Sequence, residues 1–263
     1  MELWRPTTQG EAVFLHLHTQ VASGVEIVHE PYGLHYLVHQ DRYIEFARLT
    51  IAIELFLRAL RTAIEMYEQT PGVPPKDLGK RVRQETDLPD RVTGDRKFCE
   101  ALRDAGRIAH ERRRFKGLED SVLRSEANWC YLCGTALVGS PGHHNTATVE
   151  HLWPLSLAGE TVEGNLIPAC KSCNDRKGHA ITWAWGPVQS TYHEGIAGGT
   201  EPNHQLRLSL ALARLMLVAA APTNKLTLKQ AAHKAQPLYS GVTFDRAGPR
   251  VFFEYFSKVE AIP

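Results

Sequence analysis

N-W-C-Y-L-C-G at 128–134, V-E-H-L-W-P at 149–154 and G-N-L-I-P-A-C-K-S-C-N-D-R-K-G at 164–178 are the segments from which this 263-residue chain is read. Four of the five cysteines fall here, as the pairs Cys130/Cys133 and Cys170/Cys173. Two C-x-x-C knuckles offer four soft thiolates, the ligand set of a closed tetrahedral zinc site, and the spacer between knuckles is free to vary. Thirty-six residues separate Cys133 from Cys170, enough for a folded element between them. Two disulfides are the weaker alternative, because cysteine use is low elsewhere, Cys99 stands alone, and such a chain suits a reducing compartment. A closed site of this kind is structural. It staples a segment too short to build its own core and does no chemistry itself.

The inserted element carries the chemistry-bearing residues. Val149–Trp153 is β-prone and holds Glu150 and His151, Pro154 ends it, and Asn165-Leu166-Ile167 returns as a second strand. A helix is expected to begin near Cys170, with the second cysteine pair in its first turn and Asn174 directed back at the hairpin. Adjacent residues of a regular strand face opposite ways, so Glu150 and His151 share a site only if the strand is distorted or ends there.

These residues together resemble the HNH endonucleases of the ββα-metal (His-Me finger) superfamily, in the form with zinc knuckles. The resemblance rests on Cys130/Cys133, Glu150-His151, Asn165-Leu166, Cys170/Cys173-Asn174 and Lys177-Gly178, and spans roughly a fifth of the chain. It implies hydrolysis of phosphodiester bonds with one catalytic ion. His151 would be the general base, and Glu150 and Asn174 would hold a divalent cation, Mg²⁺ or Mn²⁺. Asn165 would bond backbone across the hairpin to hold the His151 loop. Lys177 or Arg176 would touch the phosphate backbone, and the products would carry 5′-phosphate and 3′-hydroxyl ends. Glu150 stands where the family more often has Asp, and Asn174 where it more often has His.

Working outward, the net charge of +1 excludes a global polycation, so any phosphate-binding surface must be local. The longest apolar run, near 206–221, is interrupted by Arg207 and Arg214, and the N-terminus lacks a secretory profile. A soluble, cytoplasmic protein without membrane contact is expected. Residues 1–33 are mixed, with a short strand at Val25–Val28 and a turn at Pro31–Gly33. From Asp41, a plausible N-cap, a long helix runs to about residue 68, with Ile44, Ala47, Ile51, Leu55, Ala59 and Ala63 on one face and Phe46, Leu49, Ile53, Phe56, Leu57 and Leu60 widening it. So broad an apolar face is either the core of a helical bundle or an interface for a homodimer or a regulatory protein partner.

A polar helix within 76–92 breaks at Pro89, and a third runs from Asp95 to Phe115 with Phe98, Leu102, Ile108 and Ala109 inward. Its outer face is basic, ending in Arg112, Arg113 and Arg114. Such a row is either a solvated face or a grip on DNA phosphates, and the two readings are equally weighted. Trp183 and Trp185 are more readily caps on a sparse zinc-stapled core than stacking platforms for bases. His143, His144, His179, His193 and Cys99 receive no chemical role. Residues 204–221 read as an apolar helix, Thr227-x-x-Gln230 as a capping box opening a helix to about Ala235, and 242–256 as a terminal hairpin.

The expected fold class is thus α+β and mostly helical. A helical region at 1–125 positions DNA or a partner, an HNH module occupies 126–185, and helices with a hairpin fill 186–263. The expected cofactors are structural Zn²⁺ and catalytic Mg²⁺ or Mn²⁺, and the expected partner is DNA. A bacterial or phage defence or restriction effector follows by analogy. The rival readings are a zinc-stabilised DNA- or protein-binding module whose nuclease site is weak or inactive, and an RNA-cutting toxin.

Overall fold

The computed structural model describes residues 3–24, 40–181, 202–220 and 225–239. The strand at Val25–Val28, the turn at Pro31–Gly33, Trp183, Trp185, His193 and the hairpin at 242–256 lie outside the described residues, as do the side chains of Ile44, Phe46 and Ala47. The architecture is α+β, mostly helical with one two-stranded antiparallel sheet. The chain packs as two compact units, one of Thr8–Arg113 with Leu155–Glu160, the other of Leu3–Thr7, Arg114–Pro154 and the chain from Thr161 onward.

The first unit is a helical bundle. Helix α1 (Gln9–Gly24) lies in the region read as mixed, and a capping box starts it. Thr8 N and Oγ1 both donate to Glu11 Oε2 at 2.9 Å, while Glu11 N donates to Thr8 Oγ1 at 3.3 Å. Helix α2 (Gln40–Gln69) begins one residue before Asp41, which therefore sits inside it rather than capping it. Its buried stripe is Leu49, Ala52, Ile53, Phe56, Ala59, Leu60 and Ala63, and Ile51 is instead an exposed member of the expected face. Helices α1, α3 (Pro75–Thr86) and α5 (Arg96–Glu111) pack on α2, with Phe14 meeting Phe56 edge-on at 5.9 Å. The wide apolar face is therefore largely used within this unit. Gly106 makes the α2–α5 contact close: a Cβ there would meet Ala63 at 2.8 Å.

Pro89 separates α3 from the short α4 (Asp90–Thr93), and Asp95 caps α5 by accepting from Lys97 N. Ile108 is half-buried, whereas Phe98, Leu102 and Ala109 are buried as expected. Helix α5 does not reach Phe115. It stops at Glu111 because Arg112 takes the left-handed conformation (φ 45°, ψ 45°) in which the last carbonyls are capped. The expected continuous basic face is broken there, and Arg112, Arg113 and Arg114 belong to a linker.

In the second unit, α6 (Lys116–Glu126) packs against both strands of a hairpin, β1 (Ala147–His151) and β2 (Leu166–Cys170). The register pairs Ala147 with Cys170 and His151 with Leu166. The strands sit two residues earlier and one residue later than the sequence suggests. Trp153 lies past the strand end, fully buried, with its ring 6.3 Å from that of Trp4. Helix α7 (Lys171–Lys177) follows directly, its N-cap Cys170 accepting from Cys173 N, and Gly178 ends it at φ 51°. Helices α8 (Pro202–Ala219) and α9 (Leu228–Ala235) pack together, and α9 opens with both bonds of the Thr227/Gln230 capping box.

Candidate active site

The four cysteines converge. Their sulfurs all lie within 4.8 Å of one another, and Cys133 Sγ is 3.9 Å from Cys170 Sγ. A zinc–sulfur distance of about 2.3 Å places tetrahedral sulfurs about 3.8 Å apart, so the cluster is sized for that ion. The knuckles supply it through tight local structure: Gly134 N donates to Cys130 O, and Cys173 N to Cys170 Sγ. Crowded together, the thiols share protons unequally. A hydrogen bond with Cys173 draws Cys130 down to about 5, while burial holds Cys170 up near 11. Cys130 is thus already biased toward the thiolate form a metal requires.

His151 ends β1, nearly buried at 9% exposure. Its Nε2 lies 3.1 Å from Thr161 Oγ1, a buried hydroxyl in the turn between the strands. Burial lowers its pKa to about 4, so the imidazole is neutral at pH 7. The Glu119 carboxylate opposes that shift, while the Arg114 and Lys177 cations reinforce it. The loop after His151 is held by Asn165, whose Oδ1 accepts from Trp153 N at 2.7 Å and whose Nδ2 donates to Trp153 O at 2.9 Å. Leu152 N also donates to Asn165 O. One asparagine thereby mimics a short stretch of strand pairing past the strand's end.

Glu150 points the other way from its neighbour, as strand alternation requires. Its Oε1 accepts from Lys177 Nζ at 2.7 Å, and the same ammonium reaches His151 O at 3.3 Å. Both side chains are enclosed, at 5% and 1% exposure. Burial raises the Glu150 pKa and Lys177 counters it. Lys177, expected at a phosphate, is instead a buried tie between α7 and β1, which its position on the inward face of that helix dictates. Asn174 Nδ2 donates to Thr148 Oγ1 and Val149 O, at 3.0 and 3.1 Å, which leaves its Oδ1 as the free oxygen donor among the described contacts. Arg176, the other expected contact, is exposed.

The linker arginines each have local partners. Arg112 Nε donates to Ala109 O, Arg113 pairs with Glu111, and Arg114 forms a two-bond fork with the buried Glu119. Thr161 and Glu119 are the site neighbours that sequence reasoning misses. Thr161 lies in a turn with no periodicity, and Glu119 lies on a helix whose N-cap carries no side-chain bond to mark it.

Residues 130–180 match the family of HNH endonucleases. No curated protein and no solved structure matches the chain. With the cysteine cluster, the match makes this segment an HNH module in its zinc-knuckle form and supports a nuclease-type function. Among the described residues, no helix is long and apolar enough to cross a membrane.

Proposed function

We propose that this protein is a metal-dependent endonuclease that hydrolyses DNA phosphodiester bonds, leaving 5′-phosphate and 3′-hydroxyl ends. The observation that carries the reading is the neutral His151 imidazole at the strand end, braced by Thr161 on Nε2 and by Asn165 through the Trp153 backbone. With Nε2–H donating to Thr161, Nδ1 keeps the lone pair that takes a proton from the attacking water. Asn165 acts by holding the loop, which keeps that nitrogen in one place.

The donor types of Glu150 and Asn174, a carboxylate and an amide oxygen, suit a hard divalent ion such as Mg²⁺ or Mn²⁺. When bound, such an ion supplies charge neutralisation at the phosphate and at the departing 3′ oxygen. Zn²⁺ on Cys130, Cys133, Cys170 and Cys173 keeps the hairpin and α7 folded. Arg176 and the linker arginines Arg112, Arg113 and Arg114 make phosphate contacts. The setting is the cytoplasm of a bacterial cell under phage attack or restriction, with a regulatory partner or a second copy as a candidate binder of α2. Loss of plaque protection on deletion of the gene's activity tests the setting.

A second reading has its own support. The enclosed Glu150–Lys177 pair engages the carboxylate that would hold the ion, which favours a zinc-stabilised binding module with a weak nuclease site. Incubation of supercoiled plasmid with the protein separates the two. Relaxation or linearisation with Mg²⁺ or Mn²⁺ that stops with EDTA supports the nuclease. Binding without any cutting, across both ions, supports the module. The same assay on RNA identifies an RNA-cutting toxin.

A further inference from the structure

We propose that Glu119 is a positioning residue that holds the Arg114 guanidinium beside His151 as a clamp for one substrate phosphate, an inference that rests on the nuclease reading above. Arg114 precedes α6 and Glu119 lies in its first turn. Arg114 Nε meets Glu119 Oε1 at 2.8 Å and Nη2 meets Oε2 at 2.9 Å. The two partners differ in exposure: the carboxylate side chain is 11% exposed and the guanidinium side chain 60%. The buried partner is thus fixed by packing and the open one by the fork, which sets both the position and the plane of the guanidinium.

Donor accounting gives the clamp its free edge. A guanidinium has five N–H donors, and this pair uses one on Nε and one on Nη2. Both hydrogens of Nη1 and the second of Nη2 have no partner among the described residues. One hydrogen of Nη1 and the second of Nη2 form the terminal edge, which matches two oxygens of a phosphate. Placement is the second observation. Helix α6 packs against both β2 and β1, the strand that ends in His151. Arg176, by contrast, is exposed and has no described holder.

The plain alternative is that the fork only staples the start of α6, whose N-cap residue Phe115 makes no side-chain cap bond. Full-length protein carrying Arg114→Ala, Arg114→Lys, Glu119→Gln or Glu119→Asp separates the two. Each variant is checked for zinc content and Tm. It is then measured for duplex binding with no added divalent ion across a range of salt and for single-turnover cleavage with Mn²⁺. The clamp predicts that Arg114→Ala lowers the salt slope of binding by about one and slows cleavage by about 10²-fold. Arg114→Lys keeps the slope but not the rate, since an ammonium cannot form the fork. Glu119→Gln and Glu119→Asp keep the slope and slow the maximal single-turnover rate about tenfold, with the half-saturating enzyme concentration unchanged and nothing further lost when combined with Arg114→Ala.

An unchanged slope in Arg114→Ala overturns the proposal. So does a Glu119 variant that folds and cuts at the parental rate. Should the parental protein bind duplex without cutting it, the nuclease reading fails and the slope still decides whether Arg114 holds a phosphate.

Discussion

Two carboxylate–cation pairs act on the surroundings of His151, and they are built in opposite ways. Glu150–Lys177 is closed on both sides, with a single 2.7 Å contact between side chains that solvent barely reaches. Glu119–Arg114 is closed only at the carboxylate, and its cation faces outward through a two-bond fork. A sealed pair fixes one element against another and presents no cation to solvent. A half-open pair can do both. The residue types alone do not separate these roles, because each is a Glu with a basic partner nearby in sequence or fold. Burial separates them.

The comparison breaks most visibly at the metal that holds its frame. Cys130→Ser or Cys173→Ser removes a thiolate from a site where bound zinc would contribute on the order of 10 kcal/mol to folding. Zinc content by atomic emission should fall below one per chain, with loss of the cooperative melt of the HNH module.

Next comes the sealed pair itself. Lys177→Met leaves the Glu150 carboxylate buried without a partner and should cost about 3–5 kcal/mol in urea unfolding. The double replacement Glu150→Leu with Lys177→Met should recover most of that loss. Arg114→Met, at the open pair, should cost about 1 kcal/mol or less. Equal losses at Lys177 and Arg114 would erase the distinction drawn between the pairs.

Smaller effects sharpen the bracing of His151. Asn165→Ala removes two backbone partners of Trp153 and should cost about 1–3 kcal/mol, read as a lower Tm. Thr161→Val keeps the shape but removes the hydroxyl at Nε2, and should slow cleavage with little change in duplex affinity. The pH dependence of stability gives the finest test. The unfolded imidazole titrates near 6.5 and the folded one near 4, so the unfolded state binds more protons between those values. The stability that His151 contributes is fully present above pH 6.5 and is lost as pH falls through 6.5 toward 4. His151→Gln should flatten that part of the stability curve.

The zinc knuckles, the ββα order and the long second helix were legible because each rests on spacing within a short window. Helix α1 was not read, although Thr8-x-x-Glu11 carries the same signal as Thr227-x-x-Gln230. Its apolar residues Phe14, Leu17 and Val21 do keep three-to-four spacing, so the helix was within reach of the sequence. The end of α5 was hidden because Arg112 takes a conformation usually marked by glycine. Helix α6 lacks a side-chain cap to mark its start. At the site, residue identities followed from the motif, but partners did not. That Lys177 turns inward to Glu150, that Thr161 meets His151, and that Glu119 takes Arg114 depends on how the hairpin, α6 and α7 pack.

The most direct measurement is the single-turnover rate of plasmid cleavage with Mn²⁺ for the parental protein and His151→Ala, prepared with equal zinc content and equal duplex affinity. Loss of the general base should slow cleavage by about 10²–10⁴-fold while zinc and affinity stay the same. Cleavage by His151→Ala at the parental rate would contradict the account.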